Sequence, residues 1–320
     1  MSARESEWFA QHLPPIKERE LRGPADYYGA SSLIAAGMRL SSPPSSCGYW
    51  AHGWHYAPYN AKLLSDGCDR DTRMLVATER DAEILRDDGF QDVSAVGLPF
   101  VYTRSPKVKR RPNSLLIMPP HVTIHQERNW NEHEYIDVCV ELAKQFETVV
   151  ACVSQNCVAK GYWVRSFDAA NIPWIAGAGA ADANALVRIR CLMSQFECMT
   201  TPSIGSHVVY ATYCGCRVSL YGPAMVGTAE YLKHELLYVQ HPDLIDVHIS
   251  RDSEESLRSY YGHLFSHPID SVCDINWAKS EIGEQHRLPF HLMAEQLGWG
   301  KRYKLWIKEC LKTLGVRKDP

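Results

Sequence analysis

Ser203, Gly205, Ser206 and His207 crowd into one turn of the stretch Phe196–Pro223, FECMTTPSIGSHVVYATYCGCRVSLYGP. An apolar strand (Cys198–Thr200) enters the polar turn, and a helix bearing Val208, Val209 and Ala211 leaves it. Gly215 stops that helix, and a second apolar strand, Val218–Tyr221, follows. Such a strand–turn–helix–strand unit aims backbone N–H groups and the two serine hydroxyls at the positive end of a helix, a place suited to phosphate or carboxylate. Gly205 lets a ligand approach the backbone closely, and His207 could add a proton or a positive charge. A plainer reading has Ser203 or Ser206 capping the helix, with His207 at the surface.

Other imidazoles fall at the ends of strands. In CGYWAHGWHYAPYN, Tyr49–His52 reads as a brief strand and Gly53 as a turn, so His52 and His55 lie near a strand's C-terminal end. Open α/β sheets bind ligands at that edge, although aromatic-flanked histidines also serve as hydrogen-bonded rim residues. The loop PPHVTIHQERNW carries His121, His125 and Glu127. HxxxH with a nearby Glu could be a metal set, but the spacing falls on a loop rather than one helix face, and no metal is expected. The run GAGAA, beginning at Gly177, has the look of a phosphate loop but lacks the Walker lysine and the full GxGxxG spacing, and a tight turn accounts for it better.

The elements that would position these groups alternate along the chain. The segment 1–25 reads as an arm or short helix against the body, and Asp26–Met38 as a helix. Arg73–Thr78 is a buried strand, Glu79–Asp88 a helix and Val93–Leu98 the next strand, hence a parallel sheet covered by helices. The charged, proline-flanked Ser105–Asn113 reads as an interdomain linker. After it the same grammar restarts: strand Ser114–Met118, helix Glu132–Phe146 with Tyr135, Cys139, Leu142 and Phe146 on one face, strand Thr148–Val153, helix Val158–Asp168, strand Pro173–Ala176 and a helix Asp182–Met193 capped by Asp182. Tyr238–Asp246 is expected as a strand and Ser253–Leu264 as a helix. From Ala294 a basic amphipathic helix carries Lys301, Arg302, Lys304, Lys308 and Lys312; it could touch an anionic membrane surface or pack across the domain junction.

The expected fold is therefore α/β, with two Rossmann-like domains facing an interdomain cleft and a C-terminal helical segment. The boundaries fall at 1–108, 109–285 and 286–320. A hydrophobic fraction of 45%, a charged fraction of 22% and a net charge of −3 are those of an ordinary soluble protein and argue against a nucleic-acid partner. The 11 cysteines are odd in number, irregularly spaced and without a CxxC pair, which points to reduced thiols of a cytoplasmic protein. The first residues lack the layout of a secretory signal, and no apolar run is long enough to span a bilayer.

The Rossmann pair, the HG-aromatic segment His52–Trp54 and the strand–TxxxGSHxxYA–helix–strand run Thr201–Ala211 resemble the GT-B glycosyltransferases of bacterial surface and capsular polysaccharide synthesis. They equally resemble the related glycerophosphate-type polymerases of teichoic acid. That resemblance implies a nucleotide sugar as donor substrate, no separate cofactor and a glycan or lipid-linked acceptor. It places Ser203, Gly205, Ser206 and His207 at the donor phosphates; His121 and Gly177, on their own loops, are further candidates for the donor side. His52 would face the acceptor as base, with His125 and Glu127 as second candidates. A sugar-nucleotide epimerase and a non-catalytic binding protein of a polysaccharide assembly complex share this architecture.

Overall fold

The computed structural model describes residues 9–57, 60–122, 130–225 and 228–300. His125, Glu127 and the basic segment from Lys301 onward lie outside them. Two parallel sheets form the frame. In the first, β1 (Tyr49–Trp50), β2 (Met74–Val76) and β3 (Val93–Ala95) stand in sequence order. In the second, β4 (Arg111–Ile117), β5 (Thr148–Val153), β6 (Trp174–Ala176), β7 (Phe196–Thr201) and β8 (Arg217–Leu220) stand in the order β6-β5-β4-β7-β8. The α/β class expected from the alternation is observed.

Local chemistry explains why these segments hold. β5 reads TVVACV and is buried throughout, as a strand covered on both faces must be. Leu115, Leu116 and Ile117 of β4 are fully buried, each stabilising the fold by roughly 1.5–3 kcal/mol. Of the helices on the first sheet, α1 spans Ala30–Gly37, α2 Ala61–Ser65 and α3 Glu79–Asp87; α3 starts on a reciprocal capping box between Thr78 and Asp81. Next, α4 (Glu132–Ala143) buries Tyr135, Cys139 and Leu142, and Phe146 follows it into the same core, as their spacing predicts.

Several expectations need correction. The helix expected over Val158–Asp168 is two short ones, α5 (Gln155–Lys160) and α6 (Val164–Ala169), because Gly161 (φ 73°) and Trp163 (φ 67°) turn the chain between them. Asp182 does not cap α7 (Ala185–Met193); its Oδ1 accepts from the N–H groups of Lys17 and Asn184, tying the N-terminal arm to this loop. That arm runs along the second sheet, where Phe9 stacks on Phe196 and Arg188 donates to the carbonyl of Pro14. Beyond α8 (Ser206–Tyr213) and β8 come α9 (Ala229–Leu232), α10 (Leu236–Gln240), α11 (Leu244–Arg251) and α12 (Glu254–Tyr261). The strand expected at Tyr238–Asp246 is thus helical, since Tyr238 and Leu244 bury against Leu63 and Leu232 instead of joining a sheet.

The two sheets share an apolar core. One buried cluster joins Trp50, Trp54, Leu75 and Phe100 to Met199, Val208 and Tyr210. α13 (Ile275–Glu281) packs on α8, while Glu281 accepts from the Trp54 indole N–H at 2.8 Å and Ile282 O from the N–H of Leu98 at 2.9 Å. The last described helix, α14 (Phe290–Gln296), returns to the first half, where the Phe290 ring faces Gly37 and Tyr102. No helix among the described residues is long and apolar enough to cross a membrane.

Candidate functional site

From β4 the chain crosses towards β5, and from β7 it crosses towards β8, in the opposite direction. The loops leaving the carboxyl ends of β4 and β7 therefore part, and a crevice opens between them at the topological switch point of the sheet. A cavity of about 990 Å³ occupies this place. Met118–His121 from the β4 loop and Pro202–His207 from the β7 loop line it, together with His52, Gly53 and Tyr56 from the first half. Seven of the residues singled out in the sequence, His52, His121, Gly177, Ser203, Gly205, Ser206 and His207, thus border one space.

The head of α8 is open. Gly205 occupies the N-cap position, and no side chain among the described residues bonds to the first N–H groups of the helix, so neither serine acts as the cap of the plainer reading. Unpaired N–H groups at a helix start attract an anion or an acceptor oxygen. The Ser206 side chain reaches the first half of the chain instead. Its Oγ accepts from the N–H of Trp54 at 2.8 Å, and one turn later the Tyr210 hydroxyl donates to the carbonyl of His52 at 3.0 Å. The first two turns of α8 therefore hold the HGW loop in place. Gly53 permits this approach, since a Cβ there would stand 3.3 Å from Ser206 Oγ.

His207 differs from its expected role. Its Nε2 lies 3.0 Å from Thr201 Oγ1, and the Thr201 hydroxyl proton is already given to Ser203 O at 3.1 Å, so the hydrogen bond assigns the ring proton to Nε2. Burial, with His121 nearby, lowers the His207 pKa to about 3. At neutral pH it is an uncharged ring turned back onto β7.

His52 is similarly neutral, its pKa lowered to about 4 by burial. The rings of Tyr27 and Tyr28 stand 4.9 and 5.5 Å from it, and its Nδ1 is buried without a hydrogen-bond partner among the described residues. Tyr28, at φ 56°, lines the cavity from a left-handed backbone conformation that a bulky residue rarely adopts. His55 is also neutral, with a pKa lowered to about 4 by burial and then by Arg251 and His52. Gly177 borders the cavity, but its N–H is given to Val153 O at 2.7 Å, continuing the sheet rather than facing a phosphate. His121 is exposed at the cavity's edge.

The far wall was not read from the sequence. Tyr238, His248, Asp252 and Tyr56 face the cavity and form a closed network with Arg251. Asp252 accepts from the Tyr56 hydroxyl at 2.8 Å, Arg251 Nε at 2.9 Å and His248 Nε2 at 3.1 Å, while Tyr238 pairs with His248 Nδ1. Burial opposes the charge on Asp252, but His248 and Arg251 outweigh it and hold the carboxyl below the usual range. The helical spacing of His248, Arg251 and Asp252 was the available signal, once that segment is taken as a helix. Among the described residues no group of histidine, cysteine and carboxylate side chains is placed to hold a metal.

No protein-family model matches the chain, and no curated protein matches it. An open helix head beside neutral imidazoles and hydroxyls suits a ligand with one anionic part and several hydroxyl groups.

Proposed function

We propose that the chain is a glycosyltransferase that moves a sugar from a nucleotide-activated donor to a glycan or lipid-linked acceptor, in a GT-B-like arrangement. The half built on the second sheet would hold the donor and the half built on the first sheet the acceptor. The observation that carries this reading is the joining of the switch-point crevice, with the open head of α8, to the His52–Gly53 loop in one cavity. As the bond from sugar to phosphate breaks, negative charge gathers on the leaving diphosphate, and the α8 N–H groups stand ready to receive it. His52, neutral and at the cavity wall, takes the proton of the attacking hydroxyl. Ser203 and His121 lie in the same wall and are available to ligand hydroxyls or phosphate oxygens.

Thermal-shift screening against sugar nucleotides of UDP, GDP, CMP, CDP and dTDP tests the first step. A selective rise in midpoint for one nucleotide class is expected, because a ligand that binds the folded state stabilises it. No rise with any of them at millimolar concentration sinks the proposal. One observation favours a second reading, a nucleotide- or glycan-binding protein without turnover: among the described residues none hydrogen-bonds His52 Nδ1 to orient the ring. Stabilisation by a sugar nucleotide with no transfer, hydrolysis or isomerisation of it would support that reading.

A further inference from the structure

A second cavity, of about 280 Å³, lies beside the first and shares Trp130 with it. The start of α4 and the turn between α5 and α6 enclose it. Lys160 and Arg165 would point about 140° apart around a continuous helix. The left-handed Gly161 and Trp163 break the helix between them, and both residues come to line the same pocket.

The polar groups of this wall are unbalanced. Its carboxylate, Glu132, is 6% exposed and already accepts from the Trp163 N–H at 3.0 Å and the Ser166 hydroxyl at 2.6 Å. The Asn131 side-chain oxygen accepts from the N–H of His133 at 3.1 Å, and its amide donates to Glu134 at 3.2 Å. Two donors are not so engaged. Among the described residues nothing pairs with the Arg165 guanidinium, and the Trp130 indole N–H is buried without a partner. His133 adds an imidazole. A pocket whose acceptors are engaged while a guanidinium and an indole N–H stay open selects a ligand that only accepts, and donors from different elements suit an oxyanion with three free oxygens.

We propose that this pocket is a phosphate subsite, taking a phosphomonoester or free phosphate between Arg165 and the Trp130 edge. Because Trp130 borders both cavities, an organic group on that phosphate has a path into the larger one. The test uses the full chain labelled with nitrogen-15 at tryptophan, with the Trp130 indole signal identified through Trp130→Phe. Inorganic phosphate and glycerol 3-phosphate are titrated separately at constant ionic strength near neutral pH. Each should move the Trp130 signal saturably, and Arg165→Gln should raise the dissociation constant by about tenfold or more, as expected for loss of a charge-assisted bond. Arg165 is exposed, so the variant should fold. Tighter binding of glycerol 3-phosphate would identify an organic phosphomonoester as the occupant, and equal binding free phosphate. A signal that neither compound moves, a shift matched by sodium chloride, or an unchanged constant in Arg165→Gln overturns the proposal. None of these outcomes depends on whether sugar nucleotides bind the larger cavity.

Discussion

Replacing Asp252 by Asn removes one charge without changing the side chain's size, and the network around it sets the expected cost. The Arg251 side chain is 8% exposed, and Asp252 is its counter-ion at 2.9 Å. Breaking a buried pair by neutralising one member leaves the other charge uncompensated, at a cost of about 3–5 kcal/mol. The amide oxygen can still accept from Tyr56, which places Asp252→Asn near the lower end, about 3 kcal/mol. Urea unfolding should show a lower midpoint at unchanged slope. The pH dependence supplies an independent check. The carboxyl pKa is depressed in the folded state. Its contribution is therefore fully present above the unfolded value of about 3.9 and is lost as pH falls through the lower folded value. The gap between wild type and variant should stay level through neutral pH and narrow in acid. A gap below about 1 kcal/mol at neutral pH, the range of an exposed pair, or one that widens on acidification, refutes the reasoning.

Three other substitutions probe the site and its supports. Ser206→Ala takes away the acceptor for the Trp54 N–H, so stability should drop by about 1–3 kcal/mol and the Trp54 amide should exchange faster; unchanged exchange would mean that the loop is held elsewhere. In Gly283→Ala the new Cβ would stand 1.9 Å from Ala77 O at φ 70°, so soluble yield and melting temperature should both fall sharply, whereas wild-type values would show that the backbone there can relax. His52→Ala should cut turnover of an accepted donor by at least ~10²-fold while leaving donor affinity nearly unchanged, and near-normal turnover would remove His52 from the mechanism.

The sequence made the frame legible where local chemistry decides structure. β5 could be found because six consecutive buried residues leave no exposed face, and α3 because Ala82 and Leu85 fall on one inward face. The α4 stripe was visible for the same reason. α10 and α11 were misread because LLYVQ is a short apolar run whose period does not distinguish strand from helix. The site was legible as a set of loops and not as a set of roles. Ser206 bonds to a residue 152 positions away, and Tyr56 reaches Asp252 across 196. Nothing local in GSH or in SRD announces such partners. The charge state of His207 likewise depends on burial, which no motif encodes.

A core that passes unbroken from Trp50 through Phe100 to Tyr210 and Met199 also limits how the molecule can breathe. Swinging the two sheets apart would wet the Phe100–Tyr210 stack, whose ring centres are 4.0 Å apart, and tear the Trp54 indole from Glu281. The same core continues into the helix Glu254–Tyr261, where Tyr261 packs edge-on against Trp54 and its hydroxyl accepts from the Ala57 N–H at 2.7 Å, and the Asp252 network clasps the preceding helix to Tyr56.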